Sequence, residues 1–456
     1  MHTQPNGGRA VGRGVLPLLL AAALLLAGCD ELVVPDYNNP SLEDLQNNPT
    51  RTAVQTAATG LLIGARANIS ESNGYVSLLG ILGRESYNLD GSEPRFVTEM
   101  LINPLSPSGA FGGNLWALRY RNIRNANLVL QGTDRVSGFS NAEKEAIRGF
   151  AKTMMALDYL LVINTRDANG AVVDASRPLS EGPGALVGRA EVFNHIVRLL
   201  DEAQAHLNAG GGAFPFPLSA GFAAFNTPAT FRQFNRALKA RVDVYLRNYP
   251  QALTDLQGSF LNPSGSLTLG AYHSFGTGSG ETPNGLVAVT IFAHPSIMAG
   301  AERQPGGALD QRVLGKVVQG ESRTQLGVTS DLRFILYPSN TSPVPIIRNE
   351  ELILLRAEAR WFTGDRVGAT ADLNLIRQRS GGLAPIAQPA NDDAFVTALL
   401  KERFYSLLFE GGHRWIDHRR FGRLDQLPRL PGHTVHPRFP IPEAECLARG
   451  QPTCQA

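Results

Sequence analysis

Apolar residues recur at helical intervals through most of the chain. Within residues 114–132, Leu115, Leu118, Ile123, Ala126 and Leu130 are three to five positions apart, close to the 3.6-residue period that gathers side chains on one face of an α-helix. Ile147, Ala151, Met154, Leu157 and Leu161 form a second stripe, behind the N-cap candidates Ser140 and Asn141. Residues 189–212 repeat the pattern and stop at Gly210-Gly211-Gly212, a helix-end signal. An earlier helix is predicted near 51–68.

Two later stretches predict helical hairpins. One breaks at Asn248-Tyr249-Pro250, where proline can open a second helix in its first turn. The other breaks at Thr363-Gly364-Asp365, with Leu352, Leu355, Ala359 and Phe362 before the break and Ala369, Leu373 and Ile376 after it. Helix, tight polar turn and helix is the tetratricopeptide style of packing, although no regular 34-residue period is evident. Residues 258–345 differ, being rich in Gly, Pro, Ser and Thr without a helical stripe. Long irregular segments inside a compact chain tend to be functional or disordered. The chain is therefore expected to be mainly α, with hairpins over about 51–257 and 346–425 and a loop-rich insertion over about 258–345.

The N-terminus follows another rule. Arg9 and Arg13 precede the apolar run Val15 to Gly28, and no acid occurs before Asp30. A run of that length is short for a membrane span, which needs about 20 residues, and suits a secretory signal. It ends in Leu26-Ala27-Gly28-Cys29, the lipobox pattern of bacterial lipoproteins, in which the cysteine takes up diacylglycerol and becomes the new amino terminus. Residues 1–28 are then a signal peptide, Cys29 is lipidated, and residues 29–50 form a tether and cap leading into residues 29–456 as a whole. Removing 1–28 takes Arg9 and Arg13 from the 42 basic residues, leaving 40 against 40 acidic ones. That balance lacks the basic excess of nucleic-acid binders. Cys446 and Cys454, eight apart, are candidates for a disulfide in an exported chain.

Catalytic motifs are scarce. Gly276 to Gly280 has no following Gly-Lys-Ser/Thr and reads as a surface loop. His413 and His418 are five apart, not the four that align ligands on one helical face, and Gly411-Gly412 interrupts that helix. No metal and no cofactor are expected. No nucleophile elbow or His-Glu-x-x-His appears. Acids such as Glu358 and Asp372 lie within charge-pair spacing of Arg360 and Arg377, which reads as solvated helix faces.

The stretch from Leu399 to Gly422 mixes an apolar stripe (Leu400, Phe404, Leu407, Leu408) with Glu402, Arg403, Glu410, Arg414, Asp417 and Arg420. Such intervals let acids meet bases along and between helices. The combination of Glu402-Arg403, Phe409-Glu410-Gly411, Arg414, Asp417 and Arg420 with the upstream Leu355 to Ala359, Gly364-Asp365, Leu373-Asn374 and Ile376-Arg377 resembles the SusD/RagB family of outer-membrane nutrient-binding lipoproteins. Trp116, Tyr120, Ile123, Ala126 and Asn127 resemble an earlier family helix. Three departures stand out: Ser406 where an acid is common, an apparently extra Gly412, and a tail ending in a Cys pair.

The resemblance implies the SusD-like helical fold with tetratricopeptide-like hairpins. It also implies a lipid-anchored protein at the cell surface in the outer membrane, binding an oligosaccharide or a peptide and passing it to a SusC-like TonB-dependent transporter. The charged stretch is then an architectural clasp and not a catalytic centre, so no enzyme activity is expected. Trp116, Trp361 and Trp415 fall in family helices and read as core. By the family's use of comparable loops, the ligand candidates are Tyr75, Tyr87, Asn88, Asp90 and Arg95, and Tyr272, His273, Phe275, Phe292 and His294. Two other classes remain open at this point: a helical-repeat scaffold organising envelope proteins, and a glycan hydrolase. The lipid anchor has a direct test. Cys29→Ala is expected to move the protein from the membrane fraction to the soluble fraction of lysed cells, and unchanged membrane association would refute it.

Overall fold

The computed structural model describes residues 1–3, 45 and 47–454; Cys29 and most of the tether lie outside them. The principal helices are α1 (Arg51–Arg66), α2 (Tyr75–Leu82), α3 (Asn114–Arg135), α4 (Asn141–Arg166), α5 (Arg189–Ala209), α6 (Pro228–Tyr245), α7 (Tyr249–Gln257), α8 (Asn349–Phe362), α9 (Arg366–Arg379), α10 (Asp392–Ser406) and α11 (His413–Arg420). Local chemistry accounts for their ends. Thr50 Oγ1 accepts from the Ala53 amide at 3.1 Å to open α1, and Ser140 with Glu143 forms a capping box on α4. Thr227 and Thr230 do the same for α6, with Pro228 in its first turn. At the α8–α9 turn Gly364 takes a φ of +96°, and Asp365 Oδ1 accepts from the Gly368 amide at 2.8 Å.

Consecutive helices pack on each other: α3 on α4, α4 on α5, α6 on α7, and α8 on α9. Helix α8 is buried on two sides. Leu352, Leu355 and Ala359 join the main core. Ile353, Leu354, Ala357 and Trp361 join a second core with Leu373, Ile376, Phe395 and Leu399. A helix with apolar residues on opposite faces must be covered on both, and here it divides two cores. Among the described residues, no helix is long and apolar enough to cross a membrane.

The Gly- and Pro-rich residues 258–345 also carry strands. Strands β1 (Ser86–Asn88), β5 (Ile291–Ala293), β7 (Val328–Phe334) and β6 (Val317–Gln325) form an antiparallel sheet in the order β1-β5-β7-β6. Strand β4 (Gly270–His273) pairs with β8 (Val344–Arg348), and β2 (Ala171–Val172) pairs with β3 (Leu186–Val187). These strands are hard to foresee from the residues because β6 is exposed along nearly its whole length, so no apolar alternation marks it.

The charged stretch lies inside the protein. Arg403 Nε meets Asp417 at 2.6 Å, and Arg420 reaches Asp417 at 2.8 Å and Glu358 at 2.9 Å. Glu402 takes Arg312 at 2.7 Å and Arg377 at 2.5 Å. Glu410 takes Arg348 at 2.8 Å and Lys316 at 3.1 Å. Arg414 departs from the clasp pattern: it donates to the Arg84 carbonyl at 2.8 Å and its guanidinium lies 3.9 Å from the Phe404 ring centre. It has no carboxylate within ion-pair distance among the described residues.

Two pairings read from helical spacing are also corrected. Glu358 is fully buried against Arg420, and Asp372 pairs with Arg356 at 2.6 Å and Arg360 at 3.0 Å while Arg377 serves Glu302 and Glu402. Pairing across helices won because both helices bury these faces. The two local departures from the family pattern have roles. Ser406 Oγ accepts from Arg312 at 3.2 Å. Gly412 has a φ of +73°, and a Cβ there would lie 2.3 Å from that of Leu79, so only glycine fits.

Burial by itself would raise the Asp417 carboxyl, but the charges of Arg403 and Arg420 prevail and hold it at about 2. A carboxyl lowered on folding stabilises the fold above its unfolded pKa and loses that contribution as pH falls towards the folded value. Removing one partner of a buried pair strands the other charge, at about 3–5 kcal/mol. Asp417→Ala should therefore lower the unfolding free energy, read from denaturant titration, by roughly that amount at pH 7. The deficit against wild type should shrink as pH falls from about 4 towards 2. A mutant with wild-type stability at neutral pH would show that the clasp does not hold the fold.

Candidate functional site

The structure separates the ligand candidates into several places. Strands β1 and β5 set Tyr87 opposite Phe292 in register, and the Tyr87 and His294 rings are 4.7 Å apart. Asn88 adjoins them, its Nδ2 donating to the Ser72 carbonyl at 3.4 Å. All four side chains are buried. His294 Nδ1 accepts from the Ser296 amide at 3.0 Å, and burial drives its pKa down to about 3, so it is a neutral structural ring. Tyr75 and His273 line an interior void of about 40 Å³ together with Arg241, Tyr245 and Glu410. Tyr272 and His273 also border a hollow of about 130 Å³ with Thr59, Arg66 and Ser274. Phe275 is buried.

Asp90 and Arg95 lie nearer solvent. Asp90 Oδ1 accepts from the Ser92 amide at 2.9 Å, its carbonyl accepts from Gln325 of β6 at 2.7 Å, and Arg95 Nε meets Glu93 at 2.7 Å. The ten candidates thus do not form one concave site.

A cleft of about 310 Å³ opens elsewhere, on α3. Trp116, Tyr120 and Arg124 follow one another at intervals of four, which stacks them along one helical face. The Trp116 and Tyr120 rings are 4.6 Å apart and tilted by 41°. The Tyr120 hydroxyl donates to the Val172 carbonyl at 2.8 Å and accepts from the Val172 amide at 2.7 Å, pinning β2 beside the ring. Burial raises the phenol well above its ordinary pKa, so it stays a donor.

The other wall comes from residues 171–187 and the tail. Trp116 Nε1 donates to Glu445 at 3.2 Å, and Arg449 bonds Glu445 at 2.5 Å and the Gly184 carbonyl at 2.7 Å. Cys446 and Cys454 are joined, with Cα atoms 5.4 Å apart, closing a tail loop that holds Arg449 and starts next to Glu445. Arg177 sits 3.6 Å from Asp174 and 3.3 Å from Glu181, and Arg124 donates to the Arg177 carbonyl at 3.3 Å.

An aromatic floor with arginines and carboxylates at its rim can pack against C–H surface while bonding hydroxyl groups. Its volume is at the lower end of the roughly 300–1,000 Å³ usual for small-ligand pockets. Trp116 had read as core, and it is indeed 4 % exposed. The available signal was Arg124: a charge continuing the Trp116–Tyr120 stripe means that this face leaves the core. The other two tryptophans are interior, Trp361 stacked on Phe395 at 4.2 Å and Trp415 donating to the His436 carbonyl at 2.8 Å. Among the described residues, no group of three or more His, Cys, Asp or Glu could hold a metal ion.

Residues 337–436 match the sequence model of the SusD family. No curated protein matches the chain. Solved structures do. NanU of B. fragilis is 17 % identical with a TM-score of 0.66, covering 91 % of this chain and 97 % of its own. Surface glycan-binding protein A of Bacteroides thetaiotaomicron, in complex with laminarihexaose, is 14 % identical with a TM-score of 0.67, covering 89 % and 99 %. A SusD-like protein of Bacteroides fragilis is also 14 % identical, with a TM-score of 0.68 over 89 % and 97 %. The C-terminal motif region thus matches the SusD family model, and the fold along nearly the whole length is similar to that of solved SusD-like proteins.

Proposed function

We propose that the protein binds an oligosaccharide at the cell surface without cleaving it, and hands it to a SusC-like TonB-dependent transporter while anchored by lipid on Cys29. The observation that carries the binding half is the cleft on α3, where Trp116 and Tyr120 floor a concavity rimmed by Arg124, Asp174, Arg177 and Glu445. A saccharide presents C–H faces and hydroxyl edges, the two surfaces that such a site complements. The laminarihexaose complex of surface glycan-binding protein A supports a sugar over a peptide for this fold.

Binding without turnover is supported by where the proton-retaining acids lie. A general acid for glycosidic cleavage must keep its proton near neutral pH and reach the leaving oxygen. Burial raises Glu85 to about 8, Asp243 to about 7 and Asp158 to about 6, but all three are buried. Asp158 is further committed to Arg119 at 2.9 Å. The cleft's own acids, Asp174 and Glu445, are each engaged by an arginine and act as hydrogen-bond acceptors. The transporter and the lipid anchor rest on the family resemblance and the lipobox, as does the outer-membrane location.

Titrating the chain from residue 30 onward with a panel of neutral oligosaccharides should find a saturable ligand that is recovered intact. Arg124→Ala, on a half-buried side chain, should weaken it about tenfold, equivalent to about 1.4 kcal/mol, with unchanged melting. Undiminished binding by both Arg124→Ala and Asp174→Ala would remove the cleft from the proposal.

A further inference from the structure

A second cavity, of about 380 Å³, opens where the C-terminal ends of α4 and α6 meet the start of α5 and helix α11. Its floor is apolar, formed by Ile163, Phe193 and Ile416, and its polar lining is dominated by arginine. Arg189, Arg247, Arg419 and Arg420 line it, against the single carboxylate of Asp167.

The charges do not cancel. Arg420 and Arg403 are balanced by Glu358 and Asp417 in the clasp behind the wall. That leaves Arg189, Arg247 and Arg419 facing Asp167 alone, an excess of two positive charges around the cavity. Arg419 spends its Nη atoms on the Pro437 and Asn164 carbonyls, at 2.9 and 2.7 Å, and stacks 4.4 Å from the Trp415 ring centre. Arg189 uses Nε on Asp167 at 2.9 Å and lies 4.5 Å from the Phe193 ring centre. Its two Nη atoms have no hydrogen-bond partner among the described residues. Arg247 gives Nη2 to the Arg420 carbonyl at 2.9 Å, and its Nε and Nη1 are likewise uncommitted among the described residues.

Backbone strain converges on the same place. Asp167 has a φ of +46° and Arg247 a φ of +60°, values that side-chain-bearing residues seldom adopt. Each sits just past a helix end, and each turns its charged side chain to the cavity. Strain of this kind is kept where the surroundings demand it, commonly at binding sites.

We infer that this cavity is a second ligand site, separate from the aromatic cleft, for a small organic anion whose carbon skeleton lies against the apolar side of the cavity and whose carboxylate or phosphate takes the free guanidinium donors of Arg189 and Arg247. A planar guanidinium offers paired N–H groups that suit either oxyanion. The apolar floor favours an anion carried on a carbon frame, such as an acidic sugar.

Calorimetric titration of the purified full chain with glucuronate, inorganic phosphate and neutral glucose tests it. Saturable binding of glucuronate that weakens with added salt is expected. Phosphate binding with the same sensitivity would assign the site to phosphate-bearing ligands, and supports it equally. Arg189→Gln and Arg247→Asn should each weaken the anion about tenfold. Asparagine tolerates the left-handed backbone, and Arg247 is exposed, so this variant keeps the fold. Arg124→Ala, in the other cleft, should leave anion binding unchanged. Failure of both anions to bind, or binding that survives both arginine substitutions, overturns the inference and leaves oligosaccharide binding untouched.

Discussion

An aspartate carboxylate in a protein interior is tolerable only when positive charge is brought to it, and Asp417 receives it from two arginines. Arg403 comes from α10 and Arg420 from α11, and Arg420 extends to Glu358 on α8. Three helices are therefore bound through one buried chain of charge. The motif repeats at Glu402 and Glu410, where Arg312, Lys316 and Arg348 come from the strand-bearing region and its edge and Arg377 comes from α9. These are single-geometry contacts, since a misplaced helix would leave charges stranded in low dielectric. The clasp consequently ties the C-terminal helices to both the sheet and the helical hairpins.

Helix α8 shows how this scaffold is assembled. One of its faces belongs to the main core and the opposite face to a second core with α9 and α10. Apolar packing alone specifies position loosely, because many apolar arrangements have similar energy. The ionic contacts on the same helices add direction to that packing. A rigid interior of this kind lets α3 present a stripe that leaves the core at Arg124, and lets residues 171–187 and the disulfide-closed tail fold against it.

The two concave surfaces differ in chemistry. The cleft on α3 pairs aromatic rings with mixed charge, the environment of a neutral polyhydroxylated ligand. The cavity beside α11 has an apolar floor and surplus guanidinium, the environment of an anion. A single charged helix, α11, contributes to both scaffold and cavity: Asp417 and Arg420 face the clasp while Arg419 faces the open space. Neighbouring residues on a helix point about 100° apart, so one short element can serve two purposes.

Much of the architecture is legible in the residues themselves. Stripes such as Ile147 to Leu161, caps such as Ser140 and Asp365, and the Gly364 turn are local signals, and the helices form where these signals place them. The charges from Glu402 to Arg420, set among an apolar stripe, let acids meet bases, and the family resemblance implied a clasp there; of its six residues only Arg414 lacks a carboxylate within ion-pair distance among the described residues. Which acid meets which base was decided by tertiary structure, since Glu358 finds Arg420 and not its near neighbour Arg360. The burial of Tyr87, Phe292 and His294 was equally hidden, because β1 and β5 are about two hundred residues apart in the chain and pair only once folded. Both cavities likewise join segments remote in sequence, and a single chain records such meetings only weakly. Local periodicity determines elements; the sharing of space between distant elements determines sites.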